Sequence, residues 1–266
     1  MRVYEIPEGS KNSKGRPIQN LINIEQDDKV KAFICTQDLK DEEYINSHFV
    51  IMATKKGQVK KTSLEQYSRP RSNGINAITI KDEDELLEAK LTSGSSQIML
   101  AVKSGKAIRF EESKTRPMGR NASGVRGIRL KDKSDEVIGM VSVKNMDENI
   151  LVVSENGYGK RSSLEDYRLT NRGGKGVKTI SITEKTGKLV TIKSVSDNDD
   201  LMIINKSGIA IRMRVEDLRV MGRATQGVKA ISIKEGDGIA AVAKVMKDEE
   251  GIEDINDIEF ESDAVK

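Results

Sequence analysis

The sequence predicts an all-β fold, a radial, propeller-like array of four-stranded blades, on three observations. A glycine turn recurs at close to fifty-residue intervals, a second glycine class follows it at a near-fixed distance, and short apolar or alternating segments fill the spaces between. The first class is Gly57, Gly105, Gly157 and Gly208, with steps of 48, 52 and 51 residues. The second is Gly74, Gly124, Gly176 and Gly227, with steps of 50, 52 and 51, and the two classes stand 17, 19, 19 and 19 residues apart. A sandwich of uneven strands would leave that spacing unexplained.

Each element follows from this frame. Every first-class glycine comes after an apolar run, residues 50–53, 98–102, 150–153 or 201–204, and before an alternating segment such as 106–110. That pattern predicts a β-hairpin whose tight turn needs a positive φ. Every second-class glycine opens a third strand, expected over residues 75–80, 125–130, 177–182 and 228–233, and a fourth follows at 86–91, 137–143, 189–195 and 239–245. Gly15 reads as an earlier second-class member, and residues 1–4 line up with the second strand of a hairpin. The chain is therefore expected to start in mid-repeat, with about five blades over residues 1–246, the first incomplete at 1–34.

Composition excludes much enzyme chemistry. With 1 Cys and 1 His in 266 residues, no zinc site of ordinary spacing, disulfide or Cys-His pair can be drawn. Cys35 reads as a small buried thiol in a reducing compartment, and His48 as a strand-end residue. Tyr67 and Tyr167, in the matching strings Ser63-Leu64-Glu65-Gln66-Tyr67 and Ser163-Leu164-Glu165-Asp166-Tyr167, read as packing residues. No apolar stretch approaches ~20 residues and no signal-peptide core is evident, so no membrane contact and a cytoplasmic location are expected.

The charge is segregated. Residues 247–266 hold nine acids and two bases, a net of −7, which leaves +10 on the preceding 246 residues of a chain that nets +3. That tail is expected to be disordered and to compete internally for the basic surface. The bases recur in the connection from hairpin to third strand: Arg69 and Arg71 in the first, Arg116 and Arg120 in the second, with Arg126 beyond it. Arg168, Arg172 and Lys175 follow in the third, Arg219 and Arg223 with Lys229 beyond in the fourth, and Lys14 and Arg16 flank Gly15. The hairpin strands add Lys60, Lys61, Arg109, Lys160, Arg161, Arg212 and Arg214. Solvation explains any one such loop, but not four in register.

A cationic edge repeated around a disc suits double-stranded DNA, which carries one phosphate charge per ~1.7 Å of axis. Glycines admit phosphate to the backbone N–H groups, and arginine forks grip it. Aromatics at 3% provide no stacking platform, and no helix-turn-helix or zinc finger is present, so backbone and bendability are the expected readout. Bending a site by 40–90° costs on the order of 1–6 kcal/mol, so several contacts of about 1.5–3 kcal/mol must act together.

An ordered set of strings resembles the C-terminal domain of the bacterial DNA gyrase A subunit: Ile6-Pro7-Glu8-Gly9-Ser10, Lys14-Gly15-Arg16-Pro17-Ile18-Gln19-Asn20-Leu21, Gly57-Gln58-Val59-Lys60-Lys61-Thr62, Met118-Gly119-Arg120-Asn121-Ala122-Ser123-Gly124-Val125-Arg126, Asn156-Gly157-Tyr158-Gly159-Lys160-Arg161 and Gly222-Arg223-Ala224-Thr225-Gln226-Gly227-Val228. The resemblance implies a β-pinwheel, whose blades exchange strands and whose basic rim wraps DNA. It also implies an A2B2 assembly with the gyrase B protein that introduces negative supercoils using ATP and Mg2+ held elsewhere. This chain itself is then expected to be non-catalytic and without a cofactor, and to sit with the bacterial nucleoid through DNA.

The family's wrapping box, Gln, Lys/Arg, Arg, Gly, Gly, Lys/Arg, Gly, does not occur here in full. Arg172, Gly173, Gly174, Lys175 and Gly176 match five of its seven places in a later blade, with Thr170 and Asn171 in the first two. The family usually shows six blades, so the chain is expected to be part of the gyrase A protein, truncated at its N-terminus. The corresponding domain of topoisomerase IV, a propeller that binds proteins and an enzymatic propeller are the alternatives. Regular repeats and the Arg-Gly-Gly-Lys-Gly run favour gyrase over the first, a steep salt dependence of DNA binding would exclude the second, and the lack of converging carboxylates opposes the third.

Overall fold

A computed structural model describes residues 1–10, 13–22, 24–25, 28–71, 73–234 and 236–246. The acidic segment 247–266 lies outside the described residues. A short helix, α1 (Glu42–Ser47), capped by Asp41 accepting from the Tyr44 N–H, leads into the first hairpin and ends at His48, whose Nδ1 lies 2.9 Å from the Tyr44 carbonyl oxygen. The strands then run β1 (Phe49–Thr54), β2 (Gln58–Ser63), β3 (Leu86–Thr92), β4 (Gln97–Val102), β5 (Lys106–Glu111), β6 (Val125–Arg126), β7 (Val137–Val143) and β8 (Asn149–Ser154). They continue as β9 (Tyr158–Ser163), β10 (Val177–Lys178), β11 (Leu189–Val195), β12 (Asp199–Asn205), β13 (Ala210–Arg214), β14 (Val228–Lys229) and β15 (Ile239–Met246).

Four antiparallel sheets result among the described residues, called blades I to IV in chain order: β3-β1-β2-β6, β7-β4-β5-β10, β11-β8-β9-β14 and β15-β12-β13. The four glycine turns close the hairpins as expected, with φ between 77° and 89° at Gly57, Gly105, Gly157 and Gly208. The fourth strand of each repeat pairs beside the first hairpin strand, and β3, β7, β11 and β15 pack against one another in sequence at the inner side. Between blades the buried faces interlock. Ile51, Ala53 and Val59 of blade I pack with Ile98, Leu100 and Val102 of blade II, and equivalent clusters fill the next two joints.

The third strands are exchanged, as the resemblance implies: each completes the preceding blade, with Val125 paired to Val59, Val177 to Ala107 and Val228 to Gly159. They depart from expectation in length, being two residues long. Beyond those two residues the N–H groups turn inward onto one carbonyl of the preceding hairpin turn. Gly127 and Ile128 donate to Gly57, Thr179 and Ile180 to Gly105, and Ala230 and Ile231 to Gly157. That convergence ends the ladder. Residues 75–80 form no strand.

The incomplete first repeat forms no sheet among the described residues. Residues 1–4 are not a strand: Val3–Glu5 is a 3-10 turn, equivalent to those after the later hairpins at Leu64–Tyr67, Glu112–Lys114, Leu164–Asp166 and Val215–Asp217. The first residue of each later turn is buried, whereas Val3 is exposed because no blade face meets it. Cys35 is also exposed, in a segment without regular structure, so the expected buried thiol is corrected. Among the described residues no helix is long and apolar enough to cross a membrane.

Candidate nucleic-acid interface

Strand exchange decides where the basic connections go. The last three each leave one hairpin, cross to the preceding blade and lie along its outer edge, beside the second hairpin strand. Lys61, Arg109 and Arg161 bridge in parallel to Pro117, Leu169 and Val220, and their carbonyls accept the N–H groups of Met118, Thr170 and Met221. The third strand then completes the edge. Its glycine is needed for close approach as well as dihedral: a Cβ on Gly176, at φ 69°, would sit 2.5 Å from the Ala107 carbonyl oxygen. We call these edge segments corners: residues 116–129 on blade I, 168–181 on blade II and 219–232 on blade III.

The corners are hydrogen-bonded to one another in series. Arg172 donates through Nη1 to the Arg126 carbonyl at 3.1 Å and through Nε to Lys114 at 2.9 Å, and Arg223 donates through Nη1 to the Lys178 carbonyl at 2.9 Å and through Nε to Asp166 at 2.9 Å. Arg120 makes the same bond to Asn76, at 3.5 Å, in the connection that precedes the first corner. Backbone bonds reinforce each junction: Thr79 to Ala122, Arg129 to Gly174, Gly173 to Gly127, and Ser181 to Thr225. The second arginine of every corner is thus a clasp to its neighbour. It remains only partly exposed.

Other cations stand free on this edge. Arg116, Arg126, Arg129, Arg168, Lys175, Lys178, Arg219 and Lys229 are exposed, and none takes part in the ion pairs found among the described residues. Gly173, Gly174 and Gly176 lie in the blade II corner between the clasp Arg172 and the free Lys175. Arg69 and Arg71 are exposed in the connection clasped by Arg120, whereas Lys14 and Arg16, also exposed, belong to the sheetless first repeat and make no hydrogen bond to this series. Lys178 escapes the sequence reading. Aligning Gly176-Val177-Lys178 with Gly124-Val125-Arg126 and Gly227-Val228-Lys229 finds it, since all three cations follow the exchanged valine.

Lys160 and Arg161 are corrected: they lie beneath the corners. Lys160 is 0% exposed and Arg161 7%. Arg161 donates to the Leu218 carbonyl through Nε and to the Glu216 carbonyl through Nη2, and pairs with Asp197, so it holds the 3-10 turn of blade IV. Arg109 holds blade III likewise through the carbonyls of Leu164 and Tyr167, and burial lowers its pKa. Lys61 holds blade II through a buried ion pair to Glu112 at 3.0 Å. Alternation sends the Lys160 and Arg161 side chains to opposite faces of β9, and both faces are covered: Arg161 meets the turn of blade IV and Lys160 the corner segment at Gly222. Tyr167 is buried and shares a 2.6 Å hydrogen bond with Thr179, the packing role expected of it.

The fold and edge together define a class: an array of strand-exchanged blades with a continuous, cation-bearing outer edge. The sequence model of the family described as "DNA gyrase C-terminal domain, beta-propeller" matches residues 1–37, 48–93, 97–144, 148–196 and 199–246, and the chain belongs to that family. The DNA gyrase A protein of Staphylococcus aureus strain NCTC 8325 / PS 47 is 44% identical over 251 residues, which cover 94% of this chain and 28% of that protein. Its counterpart in strain MRSA252 is 44% identical over 249 residues. The chain therefore spans little more than a quarter of the length of these relatives. In fold it is similar to a crystal structure of the C-terminal domain of DNA topoisomerase IV, with TM-score 0.82 at 24% identity, covering 92% of this chain and 74% of that one. A structure of a DNA gyrase A C-terminal domain gives TM-score 0.78 at 23% identity, covering 92% and 78%.

Proposed function

We propose that this chain binds and wraps double-stranded DNA along its corners without reading base sequence, as the C-terminal domain of a gyrase A protein. One observation carries the reading. Neighbouring corners are hydrogen-bonded to each other along one edge, so their free cations meet a single duplex together. Arg126, Lys178 and Lys229 occupy equivalent places in successive exchanged strands, and Arg116, Arg168 and Arg219 open the three corners. Their guanidinium and ammonium groups neutralise phosphates, while the clasp arginines fix the spacing between corners.

The role in the larger assembly is geometric. A duplex curved along this edge would present a crossing to a strand-passage gate, and DNA cleavage and the use of ATP and Mg2+ are assigned to other parts of an A2B2 complex with the gyrase B protein. The setting is the bacterial cytoplasm, at the nucleoid. Sequence supports the gyrase role, since gyrase A proteins of Staphylococcus aureus are 44% identical over 94% of this chain and the chain carries the Arg172-Gly173-Gly174-Lys175-Gly176 run.

The test uses relaxed, nicked circular DNA sealed by ligase in the presence of the chain. Wrapping appears as a shift in linking number, and log affinity falls linearly with log salt. Replacing Arg126, Lys178 and Lys229 by Ala is expected to reduce the salt slope by about 3, at about 0.9 per phosphate contact, and to reduce the trapped writhe. Unaltered topology with the wild-type chain would refute the proposal.

A further inference from the structure

Two of the three corners rest on a buried lysine, and the third does not. At the third position of the second hairpin strand, blades I and III carry Lys60 and Lys160, while blade II carries Ile108. Lys60 and Lys160 are 0% exposed. Lys60 donates through Nζ to the carbonyls of Arg120 and Ala77, each at 2.5 Å. Lys160 donates to the Gly222 carbonyl at 2.6 Å and to Thr225 Oγ1 at 3.1 Å. Three of these four acceptors belong to the corners, and Ala77 to the connection joined to the first of them. The blade II corner, which carries Arg172-Gly173-Gly174-Lys175-Gly176, instead sets Gly174 over Ile108, where a Cβ on that glycine would be 3.4 Å from Ile108 Cδ1.

We propose that Lys60 and Lys160 are positioning residues of the interface: their ammonium groups hold the blade I and blade III corners from beneath, while the blade II corner is held without one. The proposal rests on the DNA-binding reading above and adds an internal contrast to it. Corner carbonyls turned down onto an ammonium leave the upper surface to the N–H groups and cations that suit phosphate. The buried charge also adds to the positive potential of the edge without touching the ligand.

Proton occupancy follows from the surroundings. Burial is the main cause that pushes both lysines down to about 8, with Arg120 lowering Lys60 further, and Asp166 raising and Arg223 lowering Lys160. The tyrosines beside them, Tyr67 and Tyr167, are raised by burial and keep their protons in the same range. Bound polyanion favours the charged lysines, so DNA binding takes up protons near pH 8, and affinity falls as pH rises through that value. Folding responds with the opposite sign. Between about 8 and the ordinary 10.5 the unfolded chain holds more protons at these sites, so their contribution to stability rises with pH.

The experiment compares the wild-type chain with a Lys60→Met/Lys160→Met double variant. Hydrogen exchange at pH 7 is expected to accelerate over residues 116–124 and 219–227 and to stay unchanged over 168–176. Duplex affinity is expected to fall about tenfold at pH 7 and to lose its dependence on pH between 7 and 9. Unchanged exchange in the first two corners, or an unaltered pH profile, overturns the proposal. If the wild-type chain binds no duplex, the functional reading falls while the exchange comparison still decides the positioning role. Should the variant not fold, carbon-13 titration of lysine side chains in the wild-type chain replaces it: two midpoints near 8 that rise on adding duplex support the proposal, and midpoints indifferent to duplex overturn it.

Discussion

Blades II and III have a completed outer edge, whereas blade IV presents β13 with no exchanged strand beside it among the described residues. The hairpin pattern is the same in all three, yet equivalent side chains meet opposite surroundings. Ile108 on β5 is 2% exposed and Ile211 at the same place on β13 is 40%. Arg161 is buried against the next blade's turn, while Arg212 pairs with Asp200, at 2.8 Å, with its side chain 32% exposed. Burial here is given by the neighbouring blade more than by the residue itself, as in other stacked-repeat proteins.

The contrast can be broken by matched substitutions. The largest effect is expected from Ile108→Ala, which opens a cavity in a closed joint and should cost about 3 kcal/mol, against about 0.5 kcal/mol or less for Ile211→Ala, read from denaturation midpoints. Equal costs would mean that the edge of blade IV is covered in solution. Arg161→Met comes next. It leaves the carbonyls of Leu218 and Glu216 without their donor and should cost about 2–3 kcal/mol, while Arg212→Met takes one partner from the buried carboxylate of Asp200 and should cost less, about 1–2 kcal/mol.

The turn glycines give the smallest and cleanest pair. Gly157 and Gly208 have φ of 77° and 89°, so alanine meets the same left-handed strain at both. A Cβ on Gly157 would stand 2.6 Å from the Ile231 carbonyl, but on Gly208 it meets open space. Gly208→Ala should therefore cost about 1–2 kcal/mol, the strain of the dihedral alone, and Gly157→Ala measurably more in the same thermal melt. Identical shifts would show that the exchanged segment yields freely at the turn.

How far the sequence reaches is visible in particular residues. Gly57, Gly105, Gly157 and Gly208 announce their turns because only a positive φ explains a glycine at that spacing. The apolar runs announce β1, β4, β8 and β12 for the same local reason. The cations on the exchanged strands and the corners are legible as charge, but their division into clasps, free groups and buried supports is not. Arg172 and Lys175 look alike in sequence. Only the approach of Arg126 from another blade makes the first a clasp and leaves the second free.

The sequence by itself determined the period, the hairpins, their turns and the recurrence of positive charge, because each depends on dihedral preference and alternation within a few residues. Tertiary structure decided which blade each third strand completes, where its ladder stops, and which lysines and arginines lose contact with water. Those outcomes depend on hydrogen-bond partners and packing surfaces about fifty residues away, and no local pattern in the chain encodes their distance or direction.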